Sequence, residues 1–374
     1  MKIEPFKMER MQSTWEFKVL YNLAESGVHP LPLRELVSAD EFEEMLNSEL
    51  GYTQTNGTHD LRDTISRLYP GSSPDQVLVT TGSSEANFLL IWSLVEKNDD
   101  ALFIMPNYMQ MWGLLRGFGA RVKKVYLREN LNWQPDLDEL KRLFSPKTKM
   151  IILTNPNNPT GAQLNKEALE TIVELASGAG AWIIADEVYQ GAELNGLTTP
   201  SFFGKYEKTV VINGLSKAYG LPGLRMGWMV APEDFIIKTW AYHDYTTICI
   251  STLTEKLALR ALSSPKREKI LLRTRRILNS NLALLKSWLG EQGEIFSFIP
   301  PQAGAICYVR YNLKINSTQL VEKLIREKSV LLVPGDHFEM DSYLRLGYGS
   351  KKEKLSAALG LLGETLHSLK ASPA

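Results

Sequence analysis

Residues 209–230 read TVVINGLSKAYGLPGLRMGWMV, and this stretch decides how the rest of the chain is interpreted. An apolar run ends in a Gly and Ser turn that carries Lys217, and a loop with two further glycines and a proline leads to Arg225. A second apolar run follows at 226–230. Lysine is ordinarily a surface residue, but the neighbours of Lys217 are Gly, Leu, Ser, Ala and Tyr, not the charges of a solvated helix face. We therefore interpret Lys217 as a functional residue at the end of a buried strand.

The composition describes a chain that can bury a large core. It has 374 residues, 44% of them hydrophobic, which by size predicts about two domains. Lys plus Arg and Asp plus Glu number 42 each, so the net charge of zero argues against a nucleic-acid partner. The two cysteines are too few for a disulfide framework, which favours a reducing compartment. The five histidines and two cysteines lack metal-ligand spacing, so we expect no metal site.

The N-terminal segment and the hydropathy pattern bear on location. The first residues have scattered charges and no apolar core, so they do not resemble a secretory signal. No apolar run approaches the ~20 residues that a membrane span needs. We therefore predict a cytoplasmic protein without a membrane partner. Within residues 1–24 we expect an extended arm or a short helix, with Trp15 and Phe17 as packing anchors.

Seven β-rich runs, mostly separated by helix-length segments, predict the fold class. This spacing favours βαβ units and a largely parallel, doubly wound α/β sheet, with ligands bound where the strands end. No Gly-x-Gly-x-x-Gly follows a strand, so a dinucleotide is not supported. The predicted strands cover residues 77–80, 101–104, 122–127, 150–154, 181–185, 209–213 and 226–230.

Beyond residue 232 the pattern becomes helical and then mixed. A long helix is predicted at about 265–290, followed by strands at 305–311, 330–333 and 343–347. These later elements indicate a smaller α+β domain. The segment 241–247 is aromatic and polar, and it fits either a substrate pocket or a packed helix face.

Two polar groups follow predicted strands closely. Ser83 and Ser84 stand between a strand and an apolar helix, where free backbone N–H groups and the helix dipole favour an anion. Simple N-capping by either serine is the alternative, and both roles are compatible. Asp186 ends an apolar strand, where a carboxylate is costly unless it is paired. Its alternative role is to cap the following turn.

The order Ser216, Lys217, then Gly-Leu-Pro-Gly-Leu-Arg-Met-Gly-Trp ending at Trp228, resembles the lysine signature of the class I/II aminotransferases. These are the fold type I pyridoxal phosphate (PLP) enzymes. The lysine, the arginine and the intervening glycines stand at the expected offsets. In that family the lysine holds PLP as an imine and the arginine binds its phosphate. The chemistry requires an amine for the first role and a fixed cation for the second.

The resemblance implies a domain organisation. Residues 1–45 form an N-terminal arm and part of the small domain, 46–280 form the large PLP-binding domain, and 281–374 form the small C-terminal domain. The large domain is expected to contain a mostly parallel, seven-stranded, doubly wound sheet. The smaller domain is expected to be α+β.

The resemblance also implies a cofactor site. Asp186 keeps the ring nitrogen protonated, which makes PLP an electron sink, and Tyr189 contacts the 3-oxygen beside Asn158. Tyr108 stacks on the ring, unless it is a core tyrosine. One departure stands out, because Gly214 occupies a position where the family often has a phosphate-binding serine. The implied cofactor contacts are Ser83, Ser84, Tyr108, Asn158, Asp186, Tyr189, Ser216, Lys217, Arg225 and Tyr52, and the implied catalytic residues are Lys217, Asp186 and Tyr189.

Five further assignments concern the substrate and a partner subunit. Arg345 resembles the family arginine that grips the substrate α-carboxylate, with an exposed salt-bridging arginine as the alternative. Gly27 matches a glycine that passes beside this carboxylate, and Asn158 is expected to contact the substrate too. His29 either touches substrate or is an inert loop residue. Tyr52 resembles a tyrosine that reaches the phosphate of the neighbouring subunit, which implies a homodimer.

The activity implied is transamination between an amino acid and a 2-oxo acid, with the Lys217 amine as general base. The alternative is a PLP-dependent lyase or cyclase that acts on a specialised amino acid and resembles capreomycidine synthase. It is prompted by the unusual segments 26–29 and 244–247. Fold and cofactor do not fix the reaction, and the sequence leaves the substrate side chain open.

Overall fold

The computed structural model describes residues 2–371, which form three sheets flanked by helices. The strands are β1 (Tyr21–Asn22), β2 (Val77–Thr81), β3 (Asp100–Met105), β4 (Arg121–Arg128), β5 (Gln134–Pro135), β6 (Thr148–Thr154), β7 (Trp182–Asp186), β8 (Thr209–Gly214), β9 (Met226–Val230), β10 (Phe296–Phe298), β11 (Ile306–Tyr311), β12 (Val330–Leu331), β13 (Val333–Pro334) and β14 (Tyr343–Gly347). The α-helices are α1 (Lys7–Trp15), α2 (Leu33–Leu36), α3 (Ala39–Leu46), α4 (His59–Ser66), α5 (Ser83–Leu94), α6 (Gln110–Gly117), α7 (Leu137–Leu143), α8 (Lys166–Ala179), α9 (Glu233–His243), α10 (Thr252–Leu262), α11 (Lys266–Glu291), α12 (Ser317–Lys328) and α13 (Lys352–Ala371).

The large sheet has the order β2-β9-β8-β7-β6-β3-β4-β5. Strands β8, β7, β6, β3 and β4 run parallel to one another, whereas β9 is antiparallel to both its neighbours and β5 is antiparallel to β4. The central strands are near-continuous apolar runs because helices cover both faces of a parallel sheet. All seven predicted strands are confirmed. The eighth, β5, has only two residues, too few to carry a periodic signal.

Local signals explain where the connecting helices begin and end. Helix α8 joins the parallel strands β6 and β7, as a βαβ unit requires. The Asn165 side chain caps its start by accepting from the Ala168 amide at 2.8 Å. Gly180 ends it in the left-handed region at φ 64°. Because α8 begins and ends at these residues, the chain returns to the sheet in the same direction, and the ends of β6 and β7 lie side by side.

The smaller sheet has the order β10-β11-β14-β13 and is antiparallel. The predicted strand at 330–333 is divided in two, because β12 pairs with β1 while β13 pairs with β14. The parallel β1–β12 pair links the N-terminal segment to the second half of the chain. This pairing supports grouping residues 1–45 with the small domain, and the three-part division remains a prediction.

The expectation that Trp15 and Phe17 are packing anchors in the N-terminal segment is wrong. The segment forms helix α1, but Trp15 is exposed and the Phe17 side chain is 93% exposed, so neither packs as an anchor within this chain. The buried residue is Met8. None of the helices in the described part of the chain combines the length and apolar character that crossing a bilayer requires.

Candidate active site

A cavity of about 580 Å³ lies where β2, β3, β6, β7 and β8 end. This volume is within the range of small-molecule sites. Parallel strands bring the residues that follow them to one edge of a sheet, which is where α/β folds bind ligands. The predicted residues that line it are Ser83, Ser84, Tyr108, Asn158, Asp186, Tyr189, Ser216, Lys217, Arg225 and Arg345.

Lys217 lies in the turn after β8 with 26% of its side chain exposed. Its Nζ donates to Oε1 of Glu25 at 3.2 Å. The same oxygen accepts from the backbone amides of Ser26 and Gly27, each at 2.9 Å. Lys217 is the main cause that lowers the Glu25 pKa to about 2. Burial is the largest single effect on the Lys217 pKa and lowers it, but the charges of Glu25 and Tyr189 and the hydrogen bond to Glu25 together outweigh it, so the pKa is raised.

Asp186 is the last residue of β7 and is buried. Its Oδ1 accepts from the Val188 amide at 3.2 Å. Burial raises the pKa of this carboxyl to about 6, against the opposing effects of the Val188 amide and Lys217. A buried acid with one amide donor is incompletely paired. It therefore suits a ligand that brings a protonated nitrogen to this position.

Arg345 projects from β14 and is 1% exposed, which rules out the exposed salt-bridging alternative. Its Nη1 donates to Oδ1 of Asn158 at 2.9 Å, and its Nη2 donates to the Ala24 carbonyl at 2.6 Å. Its Nε and the Tyr189 hydroxyl are both buried without a hydrogen-bond partner in the described part of the chain. Such unpaired donors are costly. Both line the cavity, so a ligand with acceptor oxygens would satisfy them.

One end of the cavity is built to hold an anion, and we call it the anion cradle. Helix α5 begins at Ser83 with Gly82 as its N-cap, and the first amides of a helix have no intrahelical partner. No side chain caps this helix, so the capping alternative for the two serines is not observed. Gly82 lies against the guanidinium, because a Cβ there would meet Nη2 of Arg225 at 2.4 Å. The cradle consists of Ser83, Ser84, Ser216 and Arg225.

The structure explains the glycine at position 214. A Cβ on Gly214 would lie 2.8 Å from the Met226 carbonyl oxygen and 3.2 Å from the Gly227 Cα. A Cβ on Gly227 would in turn lie 2.3 Å from the amide nitrogen of Ser83. The backbones of β8, β9 and the start of α5 are therefore in direct contact. A serine at 214 would require this packing to move.

Tyr108 follows β3 and is half-buried beside the cavity. Its hydroxyl donates to Oε1 of Glu9 at 3.0 Å, and its ring meets Phe6 edge-on at a centroid distance of 5.1 Å. Both contacts come from the N-terminal segment. A ring that lines the cavity in this way is available to stack on a flat ligand.

Three predicted residues lie outside the lining of this cavity. Gly27 is next to it, with its Cβ position 3.8 Å from Cδ of Lys217. His29 faces elsewhere, where its Nδ1 contacts Nη2 of Arg273 at 3.0 Å, and we leave it out of the site. Tyr52 is 89% exposed on the surface of this chain.

The structure adds lining residues that the sequence did not indicate. They are Glu9 and Gln12 on α1, Glu16 directly after that helix, and Glu25 in the loop after β1. For Glu25 a signal existed, since it stands two residues before Gly27. For α1 the mixed pattern of apolar and charged residues showed no face that could be assigned to a pocket.

A single ligand that satisfied all these groups would need a phosphate for the cradle and a basic ring nitrogen for Asp186. It would also need a ring oxygen for Tyr189 and a carbonyl that reacts with an amine. PLP has all four features, and the fold and site thus define a PLP-dependent enzyme of fold type I.

Comparison with known proteins makes this class specific. The family model "Aminotransferase class I and II" matches residues 22–362, so the chain belongs to that family. A PLP-dependent aminotransferase from Streptococcus suis 89-1591 has a similar structure, with a TM-score of 0.93, 34% identity and full coverage of both chains. PLP is the cofactor, and the protein is a PLP-dependent aminotransferase.

Two sequence relatives are similar at lower identity. The aspartate aminotransferase of Thermotoga maritima is 29% identical over 92% of this chain and 90% of its own length. The capreomycidine synthase of Streptomyces vinaceus is 28% identical over 94% of this chain and 90% of its own length. The two names cover different reactions, so relatives of this chain at similar identity include an enzyme of another name beside the aminotransferases.

Proposed function

We propose that the protein transfers an amino group between an amino acid and a 2-oxo acid, with Lys217 as the residue that carries PLP covalently. The observation that carries this proposal is the meeting of Lys217, Asp186 and Arg345 at one cavity, although they lie on different strands or turns. An amine, a buried carboxylate and a buried guanidinium are the three charged groups that the chemistry requires.

The cofactor would be held by side chains from five strand ends. The anion cradle would bind the phosphate, with backbone amides and Arg225 as donors. Asp186 would pair with the ring nitrogen, Tyr189 and Asn158 would contact the ring oxygen, and Tyr108 would stack on the ring. Bound there, PLP supplies an electron sink for the bond that breaks at the substrate Cα.

Lys217 would also move the proton. An amine freed beside the substrate Cα can act as general base and then as general acid, which is the usual way of raising the rate of such a transfer. Glu25 lies 3.2 Å from this amine and accepts from the Gly27 amide. We propose that these contacts hold the lysine side chain in the cavity before substrate enters.

Arg345 would bind the substrate α-carboxylate. Its Nε is buried and unpaired within the described residues, and its Nη1 is already oriented by Asn158. Bidentate pairing of a guanidinium with a carboxylate fixes both position and angle. Gly27 lies beside the same cavity and would pass next to this carboxylate.

We further propose a cytoplasmic homodimer in which Tyr52 reaches the partner subunit's phosphate. Tyr52 is 89% exposed, and the exposed side chains of Leu46 and Leu50 precede it. Large apolar residues that lie exposed together favour an interface between subunits. Cys249 and Cys307 are both free thiols, in keeping with a reducing compartment.

The alternative function is a lyase or cyclase, and the specific observation in its favour is the similarity to capreomycidine synthase. Both functions begin with the same loss of a proton at the substrate Cα. They differ in whether an amino group leaves with the cofactor or a bond breaks further along the side chain.

One experiment separates the two functions. The purified holoenzyme is mixed with single amino acids, without any 2-oxo acid, and cofactor absorbance is recorded while products are identified by mass spectrometry. One equivalent of 2-oxo acid per active site supports transamination and identifies the donor. Repeated turnover without an acceptor, with an eliminated group or a cyclised product, excludes transamination and supports the alternative.

A further inference from the structure

Three carboxylates from the N-terminal segment line the active-site cavity, and we call them the acidic wall. They are Glu9 on α1, Glu16 directly after α1, and Glu25 after β1. None of them has a role in holding the cofactor under the proposed function. Their side chains lie close enough together for the charges of Glu9 and Glu25 to raise the pKa of Glu16, after the larger effect of burial.

The cations that line the same cavity are Lys217, Arg225 and Arg345, among the residues that the structure describes. Arg225 belongs to the anion cradle and Arg345 to the substrate carboxylate. Lys217 is the present partner of Glu25. Attached to the cofactor it would have no free ammonium, and the amine that substrate binding releases would act as the general base under the proposed function. The acidic wall then has no cation of its own.

Among the three carboxylates of the acidic wall, Glu16 most clearly lacks a partner. Its carboxylate has no hydrogen bond or ion pair within residues 2–371, whereas Glu9 accepts from Tyr108 and Glu25 accepts from Lys217. In an open cavity, water can solvate such groups. When ligands fill the cavity, water is displaced, and a carboxylate without a partner becomes costly.

A second observation, independent of the glutamates, identifies this cavity as a ligand site. Arg345 is 1% exposed with an unpaired Nε, and the buried Tyr189 hydroxyl is also unpaired within the described chain. Both groups line the cavity that the acidic wall encloses. The carboxylates therefore line a cavity that is built to bind a ligand.

We propose that the acidic wall selects amino acids whose side chain ends in a cation, either an ammonium or a guanidinium. Such a substrate would bind Arg345 with its carboxylate and would place its side-chain cation against the acidic wall, which would then have a partner of opposite charge. An acidic substrate would bring another carboxylate against the wall, which like-charge repulsion disfavours. The inference rests on the proposed aminotransferase function and adds its substrate class.

The test compares two amino acids of nearly equal shape and different charge. L-arginine ends in a guanidinium, and L-citrulline has a neutral urea at the same place. We expect the holoenzyme to prefer arginine by about tenfold or more in kcat/KM and in Kd, the scale of one charge-assisted hydrogen bond. Aspartate is expected to be the poorest donor. An enzyme that treats arginine and citrulline alike, or prefers aspartate, overturns the inference.

Substitutions in the acidic wall test whether its carboxylates cause the preference for arginine. Glu16→Gln and Glu25→Gln, alone and together, should bring the arginine-to-citrulline ratio towards one. Because the ratio is taken within each variant, any general loss of rate after Glu25→Gln cancels. Glu174→Gln, exposed on α8, is the matched control and should leave the ratio unchanged. A preference for arginine that survives the double substitution, and survives Glu9→Gln added to it, overturns the acidic wall as its source.

The measurements also separate this inference from the proposed function. If amino acids are consumed but no 2-oxo acid is formed from them, the proposed function fails. The dissociation constants of arginine and citrulline, measured by calorimetry, still decide the inference in that case. If 2-oxo acids form but neutral or acidic donors are preferred, the function stands and the inference fails.

Discussion

The anion cradle and the acidic wall form parts of one cavity but are built in different ways. The cradle stands on α5 and β9, whose backbones touch at Gly82 and Gly227, and a buried network supports it. There, Glu85 of α5 accepts from the Thr81 amide at 2.6 Å and from the Thr247 hydroxyl at 2.8 Å. The acidic wall comes from one helix and one loop near the chain terminus, and the side chain of Glu25 is 47% exposed.

This difference indicates that the anion cradle contributes mainly to stability and the acidic wall mainly to ligand selection. Where every donor and acceptor is paired, substitution should affect stability, because buried partners are left unsatisfied. Where carboxylates face a cavity with few partners, substitution should affect which ligand binds. The predictions below test whether the two regions differ in this way.

The largest effect is expected at the residue between the two regions. Lys217→Ala should lower amino transfer by about 10⁴-fold or more, since it removes the group on which the other catalytic residues act. Borohydride treatment followed by peptide mass spectrometry should then find no cofactor bound to residues 209–230. Lys141→Ala, exposed on α7, is the control. Retained activity with a trapped cofactor elsewhere would assign the lysine role to another residue.

The second largest effect is expected for the Arg345→Lys variant. A lysine cannot reproduce bidentate pairing, so kcat/KM for amino acids should fall by about 10²-fold, the scale for a disrupted buried charge pair. The dissociation constant for PLP should stay within a few fold of wild type, because Arg345 is not part of the cradle. Equal losses of PLP and substrate affinity would mean that the arginine holds the whole cavity together.

Asp186→Asn gives a pH-dependent effect in protein stripped of PLP. Burial raises the Asp186 pKa to about 6, so the native chain holds this proton more tightly than the unfolded chain does, and stability is lost as pH rises through that value. The asparagine variant should therefore be the more stable apoprotein at pH 7.5, by up to about 3 kcal/mol. The difference should fade towards pH 4.

Urea unfolding at several pH values measures this difference. Adding PLP should reverse the order, because only the aspartate can pair with a protonated ring nitrogen. Glu187 is a buried neighbour whose pKa is raised to about 8, mainly by burial and also by the Asp186 charge, so the substitution is expected to lower the Glu187 pKa as well. A constant offset between the two proteins from pH 4 to 7.5 would argue against a raised pKa at Asp186.

Glu85→Gln is expected to have the smallest effect and to affect stability. Burial raises the Glu85 pKa, but hydrogen bonds from His243, Thr246 and the Thr81 amide outweigh it and lower the pKa to about 2. The free energy of unfolding at pH 7 should fall by about 1 to 3 kcal/mol, the cost of mispaired buried groups. This loss should shrink as pH falls below the ordinary range of a glutamate towards 2, where wild-type Glu85 takes up a proton.

Two controls sharpen the contrast between the regions. Glu96→Gln, on the surface after α5, should leave stability unchanged. Glu25→Gln should change substrate preference while costing less stability than Glu85→Gln. If Glu25→Gln destabilised the fold more, the division between a structural cradle and a selective wall would be wrong.

The sequence predicted the cradle side of the molecule better than the wall. Lys217, Asp186 and Ser83 follow apolar strands at regular spacing, so parallel topology alone brings them together. The supporting contacts of 241–247 were left open, and the structure resolves them as packing against Glu85.

The wall could not be predicted in the same way. Glu9 and Glu16 enter the site through tertiary packing of a nine-residue helix whose pattern marks no active face. His29 followed a matched glycine but turns towards Arg273, because one position along an irregular loop redirects a side chain. The division of the 330–333 run depended on which distant strand each half would meet.

The hydrogen bond from Arg345 to the Ala24 carbonyl joins residues 321 positions apart, and it bears on how the enzyme comes into being. During synthesis the segment with the acidic wall leaves the ribosome before β12 and Arg345 do. Until then β1 has no strand to pair with, and closing so long a loop is slow. The large sheet can assemble before residue 330 is made, whereas the substrate end is completed only after Arg345 has left the ribosome. Substrate recognition is thus acquired later than the sheet that supports it.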